Sequence, residues 1–384
     1  MALKLSRRGS IPPFIAMDVL RDANRHAAGG NDVIHLEVGQ PSTPAPRGVI
    51  AVAERALRQQ VLGYTDANGL VELRDAIARD YRRAYGVDLD PARIVITTGS
   101  SAGFILAFLA AFDAGDRVAL AAPAYPAYRN ILVSLGLEPV ELPAGPAEHY
   151  QATLDLVRAA GAPIDGLIVA SPANPTGSML APDELAALAR YCETAGIRLI
   201  SDEIYHGIVY GMKEATAVAT SAEAIVVNSF SKYYSMTGWR IGWMVVPDSM
   251  IRMVECLAQN LYISPPSLSQ YAALAAFDCR DELDTNVARY AENRALLLSE
   301  LPKAGIDRFA PADGAFYLYA DIAHLTNDSE EFCRRLLRET GVACTPGVDF
   351  DRARGHTTVR ISFAGMTDEI AEAARRIRAW TPVR

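Results

Sequence analysis

Long apolar runs are missing from these 384 residues. No segment approaches the ~20 consecutive apolar residues that a membrane span needs, so a membrane-crossing chain is excluded as a reading. A secretory leader is not indicated, because the basic start MALKLSRRGS is not followed by an apolar stretch. Cysteine is scarce: Cys192, Cys256, Cys279, Cys333 and Cys344 are odd in number, irregularly spaced and form no C-x-x-C pair. These absences predict reduced thiols and a cytoplasmic location. Asn327-Asp328-Ser329 matches a glycosylation acceptor, but without secretion the match carries nothing. The six histidines show no H-E-x-x-H or comparable spacing, and no metal site is predicted. Basic charge is outnumbered, 37 Lys and Arg against 45 Asp and Glu, for a net charge of -8. That balance argues against nucleic acid or an anionic membrane as a partner. Internal repeats, low-complexity tracts and long charge runs are absent as well.

What is present is a half-hydrophobic chain long enough to bury a large core. Its middle alternates short β-branched, apolar runs with helix-like stretches, the pattern of a mainly parallel α/β sheet with helices on both faces. Strands are predicted over 93–98, 117–121, 138–142, 167–170, 198–201, 224–228 and 241–246. Helices are predicted over 102–112, 128–135 and 182–195, the last opening on Pro182-Asp183-Glu184 and closing at Gly196. The link from Lys232 to Ile241 is too short for a crossover helix, so the strand that follows is expected to run antiparallel. Past about Ala275 the texture changes to long charged helices, 280–300 and 329–339, around strand-like pieces at 314–320 and 358–363. The expected organisation is an N-terminal segment, 1–45, that helps complete a small domain, a large domain over 46–275, and a smaller α+β domain over 276–384.

Ligands of open parallel sheets bind beyond the carboxyl ends of the strands, and the unusual residues of this chain lie there. The first end reads Gly99-Ser100-Ser101-Ala102-Gly103. Small residues before a helix allow a close backbone approach to an anion, although such a turn is also an ordinary cap. Neither G-x-G-x-x-G nor G-x-x-x-x-G-K-[ST] occurs, so a nucleotide cofactor is not supported. At the second end Tyr125 offers either a flat face to a ring or simple packing under a loop. At the third, the amide of Asn174 can donate to a phenolate, and the alternative is a plain turn. At the fourth, Asp202 follows a buried strand, where an acid is costly unless paired with a positive group. At the fifth, Lys232 sits in a Ser-Phe-Ser-Lys turn; a lysine at a buried strand mouth can lose its proton and become a nucleophile towards carbonyls. Small/Ser, Tyr, Asn, Asp and Lys on consecutive strand ends are hard to explain by packing.

Residues 226–240, VVNSFSKYYSMTGWR, together with Asn174-Pro-Thr-Gly177 and Ser201-Asp-Glu-Ile-Tyr205, resemble the signatures of the class I/II aminotransferases, the fold-type-I pyridoxal phosphate (PLP) enzymes. The resemblance starts at Ile11-Pro-Pro-Phe14, continues through Leu36-Glu-Val-Gly-Gln-Pro41 and Tyr64-Thr-Asp-Ala-Asn-Gly69, and ends near Val359-Arg-Ile-Ser362. It implies a PLP cofactor, with Lys232 as the Schiff-base lysine and proton-transfer base. It assigns Asp202 to the ring nitrogen, Asn174 and Tyr205 to the phenolic oxygen O3′, and Tyr125 to the ring face. Arg240, Ser229, Ser231 and the backbone around Ser101-Ala102 would hold the phosphate. Tyr64 resembles a residue that reaches the phosphate from a partner subunit, which implies a homodimer with shared active sites. Arg360 is implied as the clamp for the substrate α-carboxylate, with Gly39 and Asn174 beside it.

The implied reaction moves an amino group from an α-amino acid to a 2-oxo acid with ping-pong kinetics. Some dicarboxylate-specific relatives carry a lysine where this chain has Ser101, so an aspartate aminotransferase using that device is disfavoured. Segments 11–17 and 260–266, with Phe14, Ile15, Tyr262 and Ile263, suit a neutral aliphatic or aromatic donor, with 2-oxoglutarate or pyruvate as acceptor. The competing reading on the same scaffold is a carbon–sulfur β-lyase or another amino-acid lyase or decarboxylase. An effector-sensing domain of a transcription regulator is disfavoured, since only about thirty residues precede the Leu-Glu-Val-Gly motif and no basic helix is seen.

Overall fold

The computed structural model describes residues 3–161 and 163–380. Across its seven-stranded sheet the strands run in the spatial order Ile94–Thr97, Gly242–Val245, Ile225–Ser229, Arg198–Asp202, Gly166–Ala170, Arg117–Ala122 and Glu138–Pro143. Gly242–Val245 is antiparallel to both neighbours, as its short link to the preceding strand requires. The remaining adjacent pairs are parallel. The predicted α/β architecture is therefore the observed one.

The sheet is covered on both faces, and the period-2 geometry of a strand divides its side chains between two cores. Val95, Val118, Ile168, Ile200, Val227 and Met244 face a layer that includes Phe104 and Phe108 of the helix Gly99–Ala111. Ile96, Ala119, Leu167, Leu199, Val226 and Val245 face the opposite, larger core. That helix starts at Gly99 rather than at 102, because Gly99 adopts φ +72 and carries the chain directly from strand into helix. The helix Pro182–Ala195 has its predicted bounds, with Gly196 in the left-handed conformation donating to Cys192 O.

A second sheet is antiparallel, ordered Thr345–Pro346, Thr358–Ser362, Tyr317–Asp321 and Arg308–Phe309. Near it Ile34–His35 pairs in parallel with Val342–Ala343, and Ser362 N donates to Leu36 O, 2.8 Å. The early chain is thus stitched onto the late chain. Of the helices for which no bounds were predicted, Ile15–Ala28 bears most on the site. Its first residue follows Phe14, which makes no side-chain cap. The free amides of Ile15 and Ala16 are instead met by the two carboxylate oxygens of Asp349, both at 3.0 Å. That cap comes from a residue more than 330 positions away and leaves no local signal.

Candidate active site

A cleft of about 510 Å³ opens where the carboxyl ends of the large sheet meet the small sheet. Lys232 lies on its floor, in a turn that starts as the strand Ile225–Ser229 ends. The turn is held by Phe230 N donating to Ile241 O, by Met236 N donating to Phe230 O and by the buried ring of Phe230 against Tyr234 and Trp243. Lys232 Nζ donates to Gly39 O at 2.7 Å. Burial, reinforced by the Arg360 and Arg240 charges against a smaller opposing effect of Asp202, lowers its pKa from 10.5 to about 8. A minority of the amine, far larger than for a free lysine, is therefore neutral and nucleophilic near physiological pH.

Asp202 ends the next strand, buried at 4 % exposure. Its Oδ1 accepts from Ile204 N at 3.0 Å, and its Oδ2 accepts from the Tyr128 hydroxyl. Burial raises its pKa to about 6, with those two donors opposing the rise. Among the described residues no lysine or arginine forms a salt bridge with it, so a buried carboxylate faces the cleft without a cation in direct contact. Tyr128 was missed by sequence reading. Tyr125 precedes the helix Pro126–Leu135 and Tyr128 lies three positions on, so both reach the same side of the cleft, with their rings edge-on at 5.3 Å.

At one end of the cleft Arg240 sits in the left-handed region, φ 51, and donates to Thr237 O at 3.1 Å. A Cβ on Gly99 would stand 2.4 Å from Arg240 Nη2, so only glycine leaves the guanidinium its place at the start of the helix Gly99–Ala111. Cation and helix N-terminus converge there, with Ser100 and Ser101 lining the same space. Ser231 also lines the cleft. Ser229 does not: its hydroxyl is turned to Ser231 Oγ, 2.8 Å, and Ile241 O, 3.0 Å, so it supports Ser231 from behind. Ala102 is likewise buried in the helix, one residue beyond the lining.

At the other end Arg360 is 2 % exposed and fully positioned. Its Nη1 donates to Asn174 Oδ1 at 2.8 Å, and its Nη2 donates to Glu37 O at 2.5 Å and Thr345 Oγ1 at 3.3 Å. The guanidinium lies between the rings of Tyr317, 4.5 Å, and Phe350, 4.7 Å. The bond to Arg360 occupies the carbonyl oxygen of Asn174 and leaves its amide as the free donor group. Tyr205, also predicted, is buried and shares a 2.7 Å bond between hydroxyls with Tyr317. Gly39 is required to be glycine, since a Cβ would fall 1.6 Å from the Tyr317 hydroxyl.

The wall beside these polar groups is apolar and comes from the unpredicted helix and its approach: Phe14, Ala16, Met17 and Leu20. Phe14 meets the edge of Tyr125 at 5.7 Å. Ile15, Tyr262 and Ile263 are not part of this wall. Tyr262 packs against the sheet core, and Ile263 is 52 % exposed. Tyr64 is 82 % exposed and away from the chain's own cleft.

These residues fit PLP on features of the site itself. An uncompensated buried carboxylate suits a protonated ring nitrogen, a cation at a helix start suits a phosphate, and a low-pKa amine suits an aldehyde. Residues 31–377 match the family described as aminotransferase class I and II, and the chain belongs to that family. It is accordingly a transaminase, moving an amino group from an amino acid to a 2-oxo acid; the family works with PLP. Among its relatives, a valine–pyruvate aminotransferase of Mycobacterium tuberculosis is 54 % identical, with 100 % of each chain covered. A crystal structure of an aminotransferase from the same organism superposes with a TM-score of 0.98 at 54 % identity, covering 99 % of this chain and 100 % of that one. Aspartate aminotransferase from Thermus thermophilus with maleate gives 0.93 at 32 % identity, covering 98 % and 100 %. No helix among the described residues is long and apolar enough to cross a membrane.

Proposed function

We propose that this transaminase binds PLP through Lys232 and takes a neutral aliphatic amino acid as donor and a 2-oxo monocarboxylic acid such as pyruvate as acceptor. The observation that carries the substrate class is the composition of the cleft. Its cationic side chains are Lys232, Arg240 and Arg360, which the cofactor and the substrate α-carboxylate would occupy, and the wall contributed by the helix Ile15–Ala28 and its approach is apolar: Phe14, Ala16, Met17 and Leu20. A second carboxylate would be desolvated there without a partner. The relative that acts on valine and pyruvate supports the same class.

Bound PLP supplies an electron sink conjugated to the substrate α-carbon. Asp202 holds the proton on the ring nitrogen, and Tyr128 and Ile204 N keep that carboxylate anionic. Asn174 Nδ2 and the Tyr205 hydroxyl donate to O3′, and Tyr125 covers the ring. Arg240, Ser231 and the amides at the start of the helix Gly99–Ala111 hold the phosphate. Arg360 receives the α-carboxylate without reorganising, because its contacts are already made. Lys232 Nζ, once free, removes the α-proton and returns it later in the half-reaction. The described residues of the N-terminal segment up to 45 and of the chain beyond 275 form a small domain that closes over the large domain and excludes water. Tyr64, with its loop fixed by Thr65 N to Ser264 Oγ at 3.4 Å, is read as reaching the phosphate of a partner copy. The working unit is then a homodimer acting in the cytoplasm.

The test is a comparison of kcat/KM for valine and aspartate, each with pyruvate and with 2-oxoglutarate. Valine with pyruvate should exceed aspartate by at least ~100-fold, the scale set by burying an unpaired carboxylate. Equal efficiency with aspartate would reject the substrate class.

A further inference from the structure

Tyr317 was not singled out by any motif, yet it touches three parts of the site at once. Its hydroxyl is 2.7 Å from the Tyr205 hydroxyl, its ring lies 4.5 Å from the Arg360 guanidinium, and it fills the space left by the missing side chain of Gly39. In the small sheet Tyr319 is the direct partner of Arg360 and Ser362 that of Tyr317, which makes Tyr317 the diagonal neighbour of Arg360 on one face. It is 1 % exposed, so neither its ring nor its hydroxyl has room to turn elsewhere.

A phenol has one proton to donate. If Tyr205 gives its proton to the cofactor oxygen O3′, the proton of the bond between the two tyrosines must come from Tyr317. We propose that Tyr317 is a positioning residue that acts through Tyr205: its hydroxyl donates to Tyr205 and strengthens the donation of Tyr205 to O3′, while its ring fixes the plane of Arg360. This rests on the reading that PLP is bound at Lys232. Hydrogen bonds in series polarise one another, and in a buried site the effect is not diluted by water. Both phenols stay protonated, since burial raises the pKa of each. Donation to O3′ disperses its negative charge and weakens its hold on the proton at the Lys232 nitrogen. Losing the Tyr317 hydroxyl should therefore make that proton harder to remove.

The test uses the PLP-loaded enzyme and follows the pH midpoint of its visible absorbance change, which reports the proton at the Lys232 nitrogen. Tyr317→Phe keeps the ring and should raise the midpoint by roughly 0.5–1 pH unit, the scale of one neutral hydrogen bond. The KM for the amino acid should stay within about 2-fold, because the stacking on Arg360 remains. In a Tyr205→Phe background the same substitution should no longer move the midpoint, since the route is gone. Tyr317→Leu, which also removes the ring, should raise KM by about 5-fold or more. An unchanged midpoint in Tyr317→Phe, or an equal shift in the Tyr205→Phe background, would overturn the relay while leaving PLP binding intact. A wild-type protein that gives no visible band, or one that survives Lys232→Ala unaltered, would instead remove the reading beneath it and the proposal with it.

Discussion

Replacing the central lysine should make the cofactor-free protein more stable at neutral pH. Lys232 has its pKa lowered from 10.5 to about 8, chiefly by burial and then by Arg360. At ~1.4 kcal/mol for each pKa unit, the protonated amine is disfavoured in the fold by roughly 3 kcal/mol. Between about pH 8 and 10.5 the unfolded chain binds more protons at this position than the folded one, so stability rises with pH across that window. Below it the whole penalty is present. The bond from Nζ to Gly39 O recovers part of it, of order 1–2 kcal/mol. Lys232→Met should thus stabilise the PLP-free protein by about 1–3 kcal/mol at pH 7, and the gain should shrink as the pH approaches 10.5. Urea unfolding at pH 7 and pH 10 reads this difference, with Lys213→Met on the exposed surface as control. A substitution that destabilises the protein equally at both pH values would refute the electrostatic account of the site.

Three further outcomes follow from particular contacts. Tyr128→Phe removes the donor to Asp202 Oδ2, so the Asp202 pKa should climb beyond about 6 and PLP affinity at pH 7 should fall ~10-fold, the deficit narrowing as the pH rises to 9. Fluorescence titration of the PLP-free protein at several pH values measures both. Gly99→Ala should cost about 1–2 kcal/mol of stability from its φ of +72, and should weaken PLP capture further by pushing Arg240 aside, seen by unfolding and titration together. Arg360→Lys loses the paired bonds to Asn174 Oδ1 and Glu37 O and should raise KM for the amino acid ~30-fold or more, in steady-state kinetics.

Much of the site was legible because the chemistry sits at strand ends, where Lys232, Asp202 and Asn174 each interrupt an apolar run in a specific motif. Arg240 and Arg360 were found through the resemblance of their motifs to the aminotransferase family, and the structure brings all five to one cleft. Tyr128 and Tyr317 were missed because each reads as an ordinary aromatic inside a helix or strand; only the fold reveals which polar group its hydroxyl meets. A helical offset of three from Tyr125 was a usable clue for Tyr128. No comparable clue marks Tyr317, whose partners Tyr205 and Arg360 lie 112 and 43 positions away. The helix Ile15–Ala28 was hidden for a related reason: its cap is Asp349, and its apolar wall gains meaning only beside Tyr125. Segment 260–266 was expected to line the pocket, and its hydrophobicity cannot distinguish Tyr262 packing under a core from lining a cleft.

The most direct measurement of the central claim is a single-turnover experiment. PLP-loaded enzyme is mixed with valine in the absence of any acceptor, and the released 2-oxo acid is quantified alongside the visible spectrum. One equivalent of 2-oxo acid per active site, with the lysine-bound band lost and then restored by pyruvate, is the predicted result; Lys232→Ala should bind PLP and release none. Continuous release of ammonia without an acceptor, or full turnover by Lys232→Ala, would contradict the account.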